Sequence, residues 1–393
     1  MVKEIRNIGL PFVALFFLYL LNPFGLNIMI GYVLAALMVI HREFLVRNLD
    51  TGLLLLFLFS ITYAAFFSFE PLAGKQFIVI YMLVPSTFYL MGKYFVEKTS
   101  KNYSTLIWML LLTSIVFSIT GILSVVTVLN QLGFTEVDRN LPNYWTGQIT
   151  PATKMGAYFA LIMCIPAVLV PKIKKVNLVV RVLLLLLFVI SVVCVLRIGS
   201  RTQLGIFLIT LLMSLFYIMP RQSLRRNLFM FAMFFGLVFY IGSTVSFDLD
   251  QDWLSAFAGR MEDNGSGDLA SGGGRTERWV KSMEYLFVKP LGWSEHEFGH
   301  AHNLWFDVLR IGGFLSFFLL IGFTTNAFLA ARKAIKKNKK AYALNNQILC
   351  YTICFALLFT VEPIMEGTFD FFAVFCFFIG AVKKYTTDYP VIG

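Results

Sequence analysis

Seven side chains in three stretches of this sequence have the types and spacing to act on a phosphate-bearing group and a hydroxyl. In LRIGSRTQLG, Arg197 and Arg201 stand at a tight turn between two apolar runs. In GGGRTERW, Arg275 and Arg278 lie three apart on one helical face behind a run of glycines, with Lys281 three residues further on. A guanidinium fork matches phosphate oxygens bidentately, and the free backbone donors at the start of the helix after Arg201 would add to such a site. His302 closes the stretch EHEFGHAH at the mouth of an apolar helix, where an imidazole is suited to take a proton from a hydroxyl. Asn303 follows it and could orient the base or the acceptor.

Each of these has a plainer reading. Arg197 and Arg201 could snorkel to lipid headgroups, Arg275 and Arg278 could belong to a solvated helix face, and a lone His302 could be structural. A metal site is a sharper rival, since His296, His300 and His302 read HxxxHxH with Glu295 and Glu297 alongside. The spacing is not HExxH and Gly299 weakens the helix that would pair the imidazoles, so no metal is expected. Asp248, Asp250 and Asp252 open a calcium loop in form only, with Trp253 where glycine is wanted and Gly259 where glutamate is wanted. Gly274 is followed by Arg-Thr, not by Lys-Ser or Lys-Thr, so the glycine-rich stretch reads as a hinge and not a nucleotide cradle, and no cofactor is expected.

The elements that must position these residues are helices in a membrane. Of the 393 residues, 58% are hydrophobic, 42 are Phe and only 14% are charged, against roughly 25% charged in soluble domains. Apolar runs suited to about 30 Å of hydrocarbon recur near 8–21, 24–40, 51–68, 76–92, 105–129, 152–171, 178–196, 203–220, 228–246, 303–330, 347–364 and 368–382. The fold predicted is an all-α polytopic integral membrane protein of about 12 transmembrane helices. The first run has the charged-then-apolar order of a signal peptide but no small-residue cleavage site, so it is expected to stay in the mature chain. Cys164, Cys194, Cys350, Cys354 and Cys376 all fall in predicted spans and read as apolar packing residues.

With the N-terminus inside, 22 of the 33 Lys and Arg fall in cytoplasmic segments and 17 of the 22 acids fall on the other side, as the positive-inside rule requires of an even number of helices with both termini cytoplasmic. The net charge of +11 therefore calls for no nucleic-acid partner. Residues 1–246 supply nine helices, 247–302 a large periplasmic loop containing short amphipathic helices, and 303–393 three more helices and a cytoplasmic tail. A second outer loop, 130–151, carries Arg139, Tyr144 and Trp145, with Lys154 just beyond it. In RTERWVKSMEYLFVKP the spacing predicts a helix with Trp279, Met283, Leu286 and Phe287 on one side and Arg278, Lys281 and Glu284 on another, ended by Pro290 and Gly292.

Taken in order, SRTQLGIF, GGGRTERWVKSMEYLFVKPLGW and AHNLWFDVLRIGGFL resemble the O-antigen ligase and O-antigen polymerase family of bacterial envelope polysaccharide assembly. The resemblance covers residues 195–325 in motif and the whole chain in topology. It implies a metal-independent, inner-membrane inverting glycosyltransferase of the GT-C kind, moving a glycan from undecaprenyl pyrophosphate onto a sugar hydroxyl. Arg201 and Arg275 would hold the pyrophosphate with Arg197 and Arg278 as helpers, and His302 would activate the acceptor. That acceptor would be another lipid-linked glycan for a polymerase or lipid A core for a ligase, with a chain-length regulator as a further partner. The basic and aromatic second outer loop favours the polymerase. The acidic motif that many GT-C enzymes carry in the first outer loop is absent from LNPFGLN. A membrane transporter of a lipid or anionic solute is the rival from another class; it is disfavoured by the near absence of mid-helix charge between residues 8 and 246.

Overall fold

The computed structural model of the chain describes residues 2–69, 74–100, 102–134, 139–171, 176–244, 275–337 and 339–389. In order, the helices are α1 (Val2–Ile8), α2 (Leu10–Leu21), α3 (Asn27–Ile40), α4 (Arg42–Arg47), α5 (Thr51–Phe67), α6 (Gln76–Lys98), α7 (Tyr103–Leu132), α8 (Ala152–Ala157), α9 (Ile165–Leu169), α10 (Leu178–Arg197), α11 (Arg201–Ile218) and α12 (Leu224–Thr244). They continue with α13 (Arg275–Val288), α14 (Leu304–Lys337), α15 (Tyr342–Val361), α16 (Ile364–Gly367) and α17 (Phe369–Asp388). Among the described residues the only sheet is a two-residue antiparallel ladder, β1 (Leu141–Pro142) with β2 (Ile149–Thr150), inside the expected second outer loop.

The protein is an all-α helical membrane protein. A helix, or for 152–171 a broken run of helices, falls on each predicted span, and seven stretches are long and apolar enough to cross a bilayer: Gln76–Lys98, Tyr103–Leu132, Ala152–Leu169, Leu178–Arg197, Arg201–Arg221, Leu304–Lys337 and Lys339–Val361. Two of the predicted spans are shorter than expected. The 12 residues of α2 and 14 of α3 extend about 18 and 21 Å at 1.5 Å per residue, short of about 30 Å of hydrocarbon. Gly9, with φ 102°, splits α1 from α2, and Asn22 in the left-handed region followed by Pro23 ends α2.

Burial sorts the helices into core and periphery. From Phe371 to Val382 every residue of α17 is buried, the mark of a helix surrounded by others. Its closest neighbour is α6, where a side chain on Gly92 would run into the Phe377 carbonyl and one on Gly380 into the Tyr89 carbonyl. Only glycine lets two helix backbones approach so closely. On α10, by contrast, Leu178, Val179, Leu183 and Val189 are all more than half exposed. A row of bare aliphatic side chains that long is a face for lipid, not water.

Side-chain caps start the helices where the sequence offers them. Asp50 accepts from the Leu53 amide at 2.8 Å to open α5, and Asn102 and Asn177 do the same for α7 and α10. The ends of the bundle are then fixed. Glu4 accepts from the Ser100 amide and hydroxyl, and the Tyr389 hydroxyl donates to the Ser100 carbonyl at 3.2 Å, which brings α1 and the end of α17 together. Residues 289–303 and the turn between α15 and α17 lie at the opposite end.

Candidate functional site

A break in one helix builds the site. In α14, Gly313 takes φ 63° and ψ −172°, so residues 304–312 form a separate piece set at an angle to the rest. That conformation is open essentially to glycine alone. The backbone groups freed by the break are taken up by the loop after α13. The Phe314 amide donates to the Pro290 carbonyl at 2.7 Å, and the Trp293 amide donates to the Arg310 carbonyl at 2.9 Å. The two strands of chain touch so closely that a Cβ on Gly313 would stand 2.7 Å from the Pro290 oxygen, and one on Gly292 would overlap the Arg310 oxygen. Trp293, Leu286, Leu309 and Phe317 pack around this joint as a small separate core.

Helix α13 docks on the joint with only half of its predicted apolar side, Trp279 and Leu286 turning inward and Met283 and Phe287 outward. Ser282 and Leu286 are buried and Arg278 and Trp279 half-buried, whereas Val280 (54%), Met283 (53%) and Phe287 (80%) are exposed. The inward stripe therefore includes both arginines. Arg278 Nη1 donates to the His300 carbonyl at 3.0 Å, and Trp279 Nε1 donates to the Ala301 carbonyl at 2.8 Å. These two bonds clamp the His300–His302 strand against α13.

The first turn of α14 completes the clamp. Asn303 is a buried N-cap whose Oδ1 accepts from the Trp305 and Phe306 amides at 3.1 and 3.3 Å. Asp307 reaches back to accept from the Asn303 amide at 3.0 Å and the Ala301 amide at 2.8 Å. Asn303 Nδ2 faces the Thr360 carbonyl at 3.4 Å. The amide side chain of Asn303 is thus committed to the helix start and to α15.

Held between these bonds, His302 adopts φ 52°, an uncommon conformation for a residue with a Cβ. It is half-buried, and its Nδ1 has no hydrogen-bond partner among the described residues. Burial, reinforced by Arg275, His300 and Arg278, pushes its pKa down to about 4, so the ring is neutral at physiological pH. His300 is the opposite case. Its Nδ1 lies 2.8 Å from Glu366 and its Nε2 3.2 Å from Glu295, and the bond to Glu366 raises its pKa. His300 is a partnered imidazole and His302 an unpartnered one, their rings 6.3 Å apart. His296 is exposed on a short 3-10 turn (Glu295–Glu297), and among the described residues no three His, Cys, Asp or Glu side chains gather as metal ligands.

Sequence reasoning missed Asp307 and Arg310, and did not give Glu366 its role. Arg310 Nη2 meets both Glu366 oxygens, at 2.5 and 2.6 Å, with the Arg310 side chain only 2% exposed. The available signal was a pair of opposite charges three apart inside an apolar helix, costly unless each finds a partner.

Arg197 and Arg201 occupy a neighbouring corner. Arg197 is buried and donates from Nε to the Gly133 carbonyl at 2.9 Å. Arg139, from the segment between α7 and α8, donates to the Ile198 carbonyl at 2.8 Å and braces the same turn. Arg201 is exposed at the first position of α11. Arg275 and Arg278, with His300, are the charged groups that lower the His302 pKa. The two corners meet through the end of α15, where Thr202 lies 3.4 Å from Glu362 while Asn303 reaches Thr360. The glycine run before Arg275, with Asp248, Asp250 and Asp252, lies outside the described residues.

No family model matches the chain, and no curated protein matches it in sequence.

Proposed function

We propose that the chain is a polysaccharide polymerase of the inner membrane, transferring a glycan from undecaprenyl pyrophosphate to a sugar hydroxyl of a second lipid-linked repeat unit. The observation that carries this reading is His302: a neutral, half-buried imidazole whose buried Nδ1 has no hydrogen-bond partner among the described residues, set beside Arg275 and Arg278. In the proposed reaction the bond between the sugar's anomeric carbon and the pyrophosphate oxygen breaks as the acceptor oxygen bonds to that carbon from the opposite face. The acceptor's proton passes to His302, and undecaprenyl pyrophosphate leaves with its charge met by the arginines. An imidazole depressed to about 4 is a weak base in the empty site. A pyrophosphate seated at Arg275 and Arg278 would cancel the charge that helps to depress it, so the base strengthens when the donor binds.

Several features support the remaining parts of the proposal. The positive-inside count supports cytoplasmic termini and a periplasmic site on a chain of twelve spans. The open apolar stripe Val280, Met283 and Phe287 on α13 suits a helix resting in the outer headgroup region. Arg201, exposed at the start of α11, is free to meet the more distant phosphate, with Arg197 and Arg139 holding its turn. The partnered His300 is assigned a positioning role and His302 that of base.

The test is reconstitution of the full chain with an undecaprenyl-pyrophosphate glycan, with and without lipid A core, read as products on a gel. A ladder on the carrier without core supports the polymerase. Transfer that requires core makes the enzyme a ligase, and no product under either condition rejects both. His302→Ala and Arg275→Ala should each abolish transfer in protein that still elutes as a folded species, while EDTA should leave the activity unchanged.

A further inference from the structure

At the end of the bundle opposite His302, where α1 and the end of α17 meet, lies a polar cavity of about 540 Å³. It is lined by five cations: Arg47, Lys93, Lys333, Lys383 and Lys384. Four helical elements bring them together, since Arg47 closes α4, Lys93 comes from α6, Lys333 from α14 and the last two from α17. Nothing in the proposed glycan transfer uses this place.

The acids present do not balance these charges. Asp50 lies 2.5 Å from Lys93 and 3.5 Å from Lys383, so one carboxylate serves two ammonium groups. It also accepts from the Tyr89 hydroxyl and from the Leu53 amide, which fills its remaining oxygen sites. Lys384 lies 2.6 Å from Glu97 and 3.3 Å from Asp388, and Glu97 is shared in turn with Arg47 at 3.3 Å. Counting Glu97 at the rim, three carboxylates face five cations. Three of the four lysines are held inside the protein: the side chains of Lys93, Lys383 and Lys384 are 6%, 15% and 13% exposed. The two cations in excess, Arg47 and Lys333, stand exposed at the rim above these buried pairs, placed to meet an anion that enters the cavity.

We propose that this cavity binds a phosphate group, and that the headgroup of an anionic phospholipid in the adjoining leaflet supplies it. The volume falls within the usual range for a small-molecule site. Phosphate is the anion whose several oxygens can be shared among converging ammonium groups. The lipid source is favoured by the cavity's flank. Leu329 and Ala330 line it on α14, Leu329 is 56% exposed, and a neighbouring cleft formed by Leu329, Arg332, Lys333, Lys336 and Lys337 continues the basic surface. Apolar side chains beside a cationic hollow are what a headgroup with its acyl chains requires, and on the proposed cytoplasmic side the anionic lipids of that leaflet are at hand.

Retention of phosphatidylglycerol against phosphatidylcholine by the full chain, read by native mass spectrometry after detergent extraction, tests this. The double variant Arg47→Glu with Lys333→Glu alters two rim cations and spares the buried lysines. It should cut phosphatidylglycerol retention about tenfold or more. Arg225→Glu with Arg226→Glu, which makes the same charge change at the start of α12 away from the cavity, should leave retention near wild type. Inorganic phosphate at millimolar concentration forms the second arm. If it binds with the same dependence on Arg47 and Lys333 while phosphatidylglycerol does not, the phosphate site stands and its source is a soluble phosphate. Equal losses in the two double variants, or no cavity-dependent binding of either probe, would overturn the proposal.

Discussion

The Arg310 guanidinium meets the Glu366 carboxylate at 2.5 and 2.6 Å, 56 residues apart in sequence and almost out of reach of water. The pair ties the broken first segment of α14 to α16, and His300 hangs from the same carboxylate. Removing one partner leaves a buried charge alone. Glu366→Ala should therefore cost about 3–5 kcal/mol of stability, read from unfolding in detergent. A loss below about 1 kcal/mol would place the pair with exposed ion pairs instead.

The two neighbouring histidines should give pH dependences of opposite sign. His300 has a folded pKa raised above its unfolded value of about 6.5. Its contribution is fully present below that value and is lost as pH rises through the raised pKa. His302 is depressed to about 4, so it removes stability as pH falls from about 6.5 toward that value. Unfolding midpoints across pH should lose their alkaline limb in His300→Gln and their acid limb in His302→Gln. Unchanged limbs in both variants would contradict the assignment.

For the proposed glycan transfer, the acid limb of kcat/KM would report the free enzyme's base. It should fall near pH 4, not near 6.5, because His302 is half-buried and flanked by cations. Arg278→Gln removes one of those cations and should move the limb upward. A wild-type limb near 6.5 that Arg278→Gln leaves in place would remove His302 as the base.

Gly313→Ala should strain the joint twice over. The new Cβ would stand 2.7 Å from the Pro290 oxygen in a backbone conformation that suits glycine. Together these should cost about 2–4 kcal/mol. The damage should be local: hydrogen exchange should rise in 289–303 before it rises in α6 or α17. A uniform rise would mean that the joint is no separate unit.

Much of this was legible in the sequence, and the gaps have physical causes. The helices of the bundle follow from runs of apolar residues, which suffice because a bilayer requires every backbone group to be satisfied within the helix. Helix α13 was predicted where it occurs, yet the spacing did not tell its packed face from its open one. Apolar periodicity marks a surface that avoids water, and Val280, Met283 and Phe287 lie on such a surface without being packed by protein. Arg278 turns inward because a backbone carbonyl awaits it, and local sequence carries no sign of that. His302 and Asn303 were picked out from their place at a helix mouth. The capping geometry shows Asn303 committed to the helix, and only the folded structure shows Glu366 engaging His300 from a distant part of the chain while the Nδ1 of His302 has no partner among the described residues.

The interlock of Gly292 with Arg310 and of Gly313 with Pro290 has a consequence for recognising kin of this chain. Each glycine is required by a carbonyl on the other strand, so neither can be exchanged alone without collision. A pair of glycines 21 positions apart, one after an Arg-rich helix and one in the first third of an apolar one, is a fingerprint set by geometry. It should persist in relatives whose apolar residues have drifted past recognition, and it offers a search key independent of the arginines and histidines.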